Sequence, residues 1–111
     1  MSHKASNQGK LDSISAAAFP ALRSFLRGYL HEDMAAESGS VGEAVRQFCE
    51  DADADERRAV ADEWTRFVTQ TRGWPLEAIN QALTERLGSG SLLEEADLET
   101  VSSRFREFAR H

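Results

Sequence analysis

The sequence predicts an all-α fold, a compact bundle of about five helices with no sheet. Three observations carry this. Apolar residues recur at three- and four-residue steps in five separate segments, which gathers each set on one helix face. No segment alternates apolar and polar residues with β-branched enrichment, the pattern of a half-buried strand. The connections are short, which favours helices that pack against their sequence neighbours. A chain of 111 residues supports one domain, with roughly two-thirds of the unfolded surface buried.

Residues 1–15 lack periodicity and are rich in Ser, Asn, Gln and Gly, so a loose N-terminal tail is expected, followed by one helical domain over residues 16–111. The first helix is expected over residues 19–34. Pro20 suits its first turn, where a missing N–H costs nothing. Phe19, Leu22, Phe25, Leu26, Tyr29 and Leu30 share one face. Gly28 weakens such a helix by about 1 kcal/mol relative to Ala; close approach of another helix would account for it.

The second helix is expected over residues 41–52. Ser40 and Glu43 form a capping box, and Val41, Ala44, Val45, Phe48, Cys49 and Ala52 form its stripe. The third is expected over residues 54–72. Asp53 and Glu56 are placed to cap it, Val60, Trp64, Phe67, Val68 and Thr71 face inward, and Gly73 is a left-handed stop. The fourth starts at Pro75, turns Leu76, Ile79, Leu83 and Leu87 inward, and stops at Gly88. A Gly-Ser linker covers residues 88–91. The fifth begins between Leu92 and Asp97 and runs to Ala109, on a stripe of Leu98, Val101, Phe105 and Phe108. Its acids come early and its arginines late, as the helix dipole favours.

The net charge of −6, from 19 acidic and 13 basic residues, argues against a sequence-independent nucleic-acid binder and against docking on anionic lipid. It suits a basic partner. The excess is local. Residues 32–56 hold Glu32, Asp33, Glu37, Glu43, Glu50, Asp51, Asp53, Asp55 and Glu56, nine acids against Arg46 alone, a charge of −8. Such acids can simply solvate helix ends; the functional alternative is an electronegative face that steers and holds a basic protein.

Catalytic and metal motifs are wanting. HEDMA, residues 31–35, begins like a zinc-protease helix, but Ala35 stands where the second His is required. Cys49 lies on an apolar stripe with no His nearby in sequence, and reads as a buried, inert thiol. With one cysteine no intramolecular disulfide forms, and a reducing cytosol is the simplest home. The polar start predicts no signal peptide and no membrane span. Trp74, between Gly73 and Pro75, is read as a staple that closes the core, with an exposed partner anchor as the alternative.

The stretch FPALRSFLRGYLHEDM, residues 19–34, resembles the start of helical bacterial immunity proteins of contact-dependent growth inhibition systems. The likeness rests on Phe19, Pro20, Leu22, Phe25, Leu26, Tyr29, His31 and Asp33, and on the acidic helix and charged helix start that follow, over about residues 19–87. Met34 stands where that family usually carries Trp. The resemblance implies a non-catalytic, cytoplasmic protein, without cofactor or metal, that binds the C-terminal toxin domain delivered by a neighbouring cell. Many such toxins are nucleases, including enzymes that cut transfer RNA. The toxin would be basic; nucleic acid and membrane would not be contacted; the free chain would be monomeric. Toxin contacts are assigned to Glu32, Asp33, Glu37, Glu43, Glu50, Asp51, Asp53 and Asp55. Tyr29, His31 and Asp33 are read first as fixing the end of the first helix, with direct toxin contact the rival for Asp33. A helical scaffold, self-associating through an apolar face, is the alternative function.

Overall fold

A computed structural model describes residues 9–34 and 39–109. Five helices follow a 3₁₀ turn at Ala16–Ala18: α1 (Pro20–Tyr29), α2 (Val41–Asp51), α3 (Ala54–Gln70), α4 (Leu76–Gln81, continued by a π-turn at Ala82–Arg86) and α5 (Glu95–Ala109). No strand occurs among the described residues, so the all-α expectation holds.

The starts of α2 and α3 are capped by the side chains of their own N-cap residues. Ser40 Oγ accepts from the Glu43 amide (3.2 Å), and Asp53 Oδ1 from the Glu56 amide (2.8 Å). Only half of the expected capping box at Ser40 forms, because the Glu43 carboxylate turns to Arg46 instead. α1 is different: Phe19 stands at its N-cap and offers no side-chain acceptor, so the acceptor comes from α3. Glu63 Oε1, in a residue only 9% exposed, accepts from the Leu22 amide at 2.8 Å. Two more side chains of α3 hold the same segment. Arg66 donates to the Ala18 carbonyl (3.0 Å) and lies over the Phe19 ring, and Gln70 donates to the Ser13 carbonyl (2.8 Å).

One core joins all five helices: Leu22, Phe25 and Leu26 of α1; Val45, Phe48 and Cys49 of α2; Val60, Trp64 and Phe67 of α3; Leu83 and Leu87 around the π-turn; Val101 and Phe105 of α5. An aromatic knot ties α1, α2 and α5, with Phe25–Phe48 ring centroids 5.0 Å apart and Phe25–Phe105 5.7 Å apart. Trp64 Nε1 donates to Ser102 Oγ (2.8 Å) across α3 and α5. Trp74 is half-buried against the core, as a staple would be.

Three expectations need correcting. Residues 1–8 lie outside the described residues, but residues 9–15 are not loose: 9–12 form a helical turn, and Leu11 and Ile14, three apart, are buried on one face. α1 ends at Tyr29 rather than at residue 34. The linker binds the carbonyls just past the end of α1: Leu30 O accepts from the Gly90 amide (2.9 Å), and His31 O accepts from Ser91 Oγ (2.9 Å) as well as from the Met34 amide (3.0 Å). Gly28 is not a contact point, since a Cβ there would meet nothing within 4 Å. The crowded glycines are elsewhere. A Cβ on Gly42 would lie 3.2 Å from Thr100 of α5, and one on Gly90 only 2.6 Å from the Glu32 backbone nitrogen.

Two stability measurements test this account. Glu63→Ala leaves the Leu22 amide without its acceptor and is expected to cost about 1–3 kcal/mol. Glu63→Gln keeps a carbonyl acceptor and should cost clearly less; equal losses in urea unfolding would show that the hydrogen bond is not what matters. Gly28→Ala, on an exposed and unobstructed helix position, is expected to stabilise the chain by up to about 1 kcal/mol, seen as a higher urea midpoint at unchanged slope.

Candidate functional site

The acids of residues 32–56 divide into three groups once placed. Glu37 lies outside the described residues. Four of the others serve the fold. Arg46 pairs with Glu43 (2.8 Å) and Glu50 (2.6 Å), so one guanidinium answers two carboxylates on the solvent side of α2. Its hydrogen bond and charge hold the Glu43 carboxyl below the usual carboxylate range. Asp53 caps α3, and Asp51 Oδ2 accepts from the Tyr29 hydroxyl at 2.9 Å. Glu32, Asp33, Asp55 and Glu56 remain exposed and only weakly engaged. Asp55 reaches Arg58 at 3.5 Å with both side chains largely in solvent, a pair worth little.

Tyr29 and His31 both make contacts within the chain at the end of α1. Tyr29 is half-buried, stacked on Phe25 and edge-on to Phe48. Burial, and then its hydrogen bond to the Asp51 carboxylate, push the phenol above its ordinary value. His31 Nδ1 accepts from the Asp33 amide (3.1 Å), closing the turn after α1. Behind it the linker is clamped to α4: the Asn80 side chain donates to the Leu93 carbonyl and accepts from the Leu93 amide, both at 2.8 Å. Asp33 takes part through its amide.

The structure brings Asp51, Asp55 and Glu56 together around a groove of about 460 Å³ between α1, the last turn of α2 and the first turns of α3. The buried Phe25, Phe48, Ala52 and Val60 make its floor, and Ala21, Ser24, Tyr29 and Ala59 complete its lining. No lysine or arginine lines it. Glu43, Glu50 and Asp53 do not reach it, nor do Glu32 and Asp33. Reading the sequence did not single out Glu56, Ala59 or Val60 as site residues. The available signal was the meeting of a capped helix start, Asp53 to Glu56, with the end of the preceding apolar stripe at Ala52.

No group of three or more metal-ligating side chains occurs among the described residues. Cys49 is buried, and burial pushes its thiol up to about 11. No helix among the described residues is long and apolar enough to cross a membrane.

Fold and surface together define a small all-α protein that carries an acid-rimmed, apolar-floored groove. The family model of the CdiI immunity protein matches residues 18–100. The chain belongs to that family, the immunity proteins of contact-dependent growth inhibition. No curated protein and no solved structure matches it.

The thiol sets an alkaline signature. Between about pH 9 and 11 the folded chain keeps a proton on Cys49 that the unfolded chain has lost, so stability present below pH 9 should decline across that window. Tyr29, raised above 10, adds to the decline at its upper end. Cys49→Ala should flatten the pH dependence of the urea midpoint between pH 9 and 11; an unchanged slope would mean that the thiol is not shielded.

Proposed function

We propose that this immunity protein acts in the cytoplasm by binding the C-terminal toxin domain of a cognate contact-dependent growth inhibition system, one to one and without catalysis, and so masks it. The toxin is a basic nuclease, of the kind that cuts transfer RNA. The family match over residues 18–100 carries the proposal. The concentration of −8 within residues 32–56 supports the charge of the partner, because an enzyme that grips a phosphate backbone needs a positive cleft. The interface would be of standard size, roughly 800 Å² per partner. It would draw on Glu32, Asp33, Glu37, Glu43, Glu50, Asp51, Asp53 and Asp55, with Glu43, Glu50 and Asp53, which are engaged within the fold, contributing field rather than direct contacts.

Co-expression is the direct test. The toxin domain encoded beside this chain should arrest growth alone and not when the chain is present; continued arrest would overturn the proposal. Charge can be tested separately at positions that leave caps and the groove intact. Glu32→Lys, Asp33→Lys and Glu50→Lys combined should slow association by about tenfold at low salt and flatten its salt dependence. Association unaltered at low ionic strength would remove this face from the interface.

A further inference from the structure

We propose that the groove between α1, α2 and α3 seats a basic loop of the toxin domain: one Arg or Lys side chain, with a flanking apolar residue. This rests on the toxin-binding function above and names the part of the partner that the site accepts.

Three features specify the occupant. The floor is apolar and nearly closed, with Phe25, Phe48 and Val60 each no more than 6% exposed, so it offers contact area to an aliphatic stem and nothing to a fully hydrated ion. Every ionised side chain around it is acidic. Asp51 keeps one carboxylate oxygen beyond the one that accepts from Tyr29, and Glu56 forms no ion pair among the described residues. Among the described residues the charge of this rim is answered only weakly, by the solvent-exposed pair of Asp55 with Arg58 at 3.5 Å, whereas Glu43 and Glu50 on the adjoining face of α2 are held by Arg46 at 2.8 and 2.6 Å. A cation arriving from outside supplies what the groove lacks, and its stem covers the floor as it does so. At about 460 Å³ the groove falls within the range of about 300–1,000 Å³ typical of ligand sites, more than one side chain fills, which is why a flanking residue accompanies the cation.

The geometry also separates two effects. Exposed acids such as Glu32 and Asp33 act at a distance and alter association. A side chain seated on Phe25 and Phe48 acts after contact and alters dissociation.

The test uses the toxin domain encoded beside the chain as probe, with association and dissociation measured by surface binding and growth rescue followed in parallel. Glu56→Gln removes one rim charge without disturbing a cap, since Glu56 is held in α3 through its amide. Ala59→Leu partly fills the groove from its lining. Each should speed dissociation by at least about tenfold, with association changed less than twofold for Ala59→Leu, and with the thermal midpoint of the free chain within a few degrees of the parent. The Glu32→Lys, Asp33→Lys, Glu50→Lys triple should show the reverse pattern. If the parent chain binds and protects but neither groove variant alters dissociation, the groove proposal fails while the immunity function stands. If the parent chain does not bind, the function itself fails. Groove variants that instead change the sedimentation of the free chain would assign the groove to a second copy and overturn the proposal.

Discussion

The contact on which the rest of the molecule depends is the Glu63 carboxylate against the Leu22 amide. α1 opens with Phe19 and Pro20, neither of which supplies a cap, so its free amides need an acceptor from elsewhere. A carboxylate in the core needs donors just as much, because an unpaired buried charge is costly. Each group solves the other's difficulty, and the contact ties the start of α1 to α3. Arg66 and Gln70 continue the same row along α3 and fasten the chain back to Ser13. With the start of α1 fixed, its far end is fixed as well. Tyr29 arrives beside Phe48 and Asp51, and a groove is left where α1, α2 and α3 do not quite close.

That arrangement redistributes charge in a way a linear count does not show. The −8 segment reads as uniform in sequence, but Arg46 reaches both Glu43 and Glu50, while Arg57 spends its guanidinium on the Cys49 and Ala52 carbonyls at the end of α2. Arg57 thus neutralises no acid on the groove rim, although it follows Glu56 directly in the chain. On a helix, successive residues point about 100° apart, so these two neighbours serve different faces. The weakly answered negative charge gathers at Asp55, with only an exposed 3.5 Å pair to Arg58, and at Glu56 for that reason.

The helices were legible in the sequence because each advertises its own stripe and punctuation. Ser40, Asp53 and the positive-φ glycines at 73 and 88 mark ends that local chemistry decides. Features decided by distant partners were not legible. Glu63 reads as a solvated charge until Leu22 is placed beside it. The end of α1 looks continuous through His31, because the competing donors, Gly90 and Ser91, lie 60 residues away for each carbonyl they occupy. Gly28 invited an explanation by contact that belongs to Gly42 and Gly90, since crowding at a glycine depends on what the fold brings up to it. The candidate site follows the same division. The acidic segment was visible as composition; its groove requires Ala21 and Phe25 of one helix to stand over Ala59 and Val60 of another.

Charge alone is a poor means of holding a partner under physiological conditions. At 0.15 M ionic strength the screening length is about 8 Å, and exposed ion pairs contribute about 0–1 kcal/mol each. An acidic face can gather a basic protein quickly and still release it quickly. On the one-to-one masking proposed above, an inhibitor would have to do better, since every dissociation would free its target. Apolar area removed from water supplies that persistence without screening by salt, at about 25 cal/mol per Å². In the groove both terms meet, with Asp51, Asp55 and Glu56 lining it together with Phe25, Phe48 and Val60. A basic side chain entering there keeps its ion pairs near a low-dielectric floor, where they are stronger than on open surface. The same arrangement disfavours a partner that presents an acid at that point, so one feature gives both residence and discrimination.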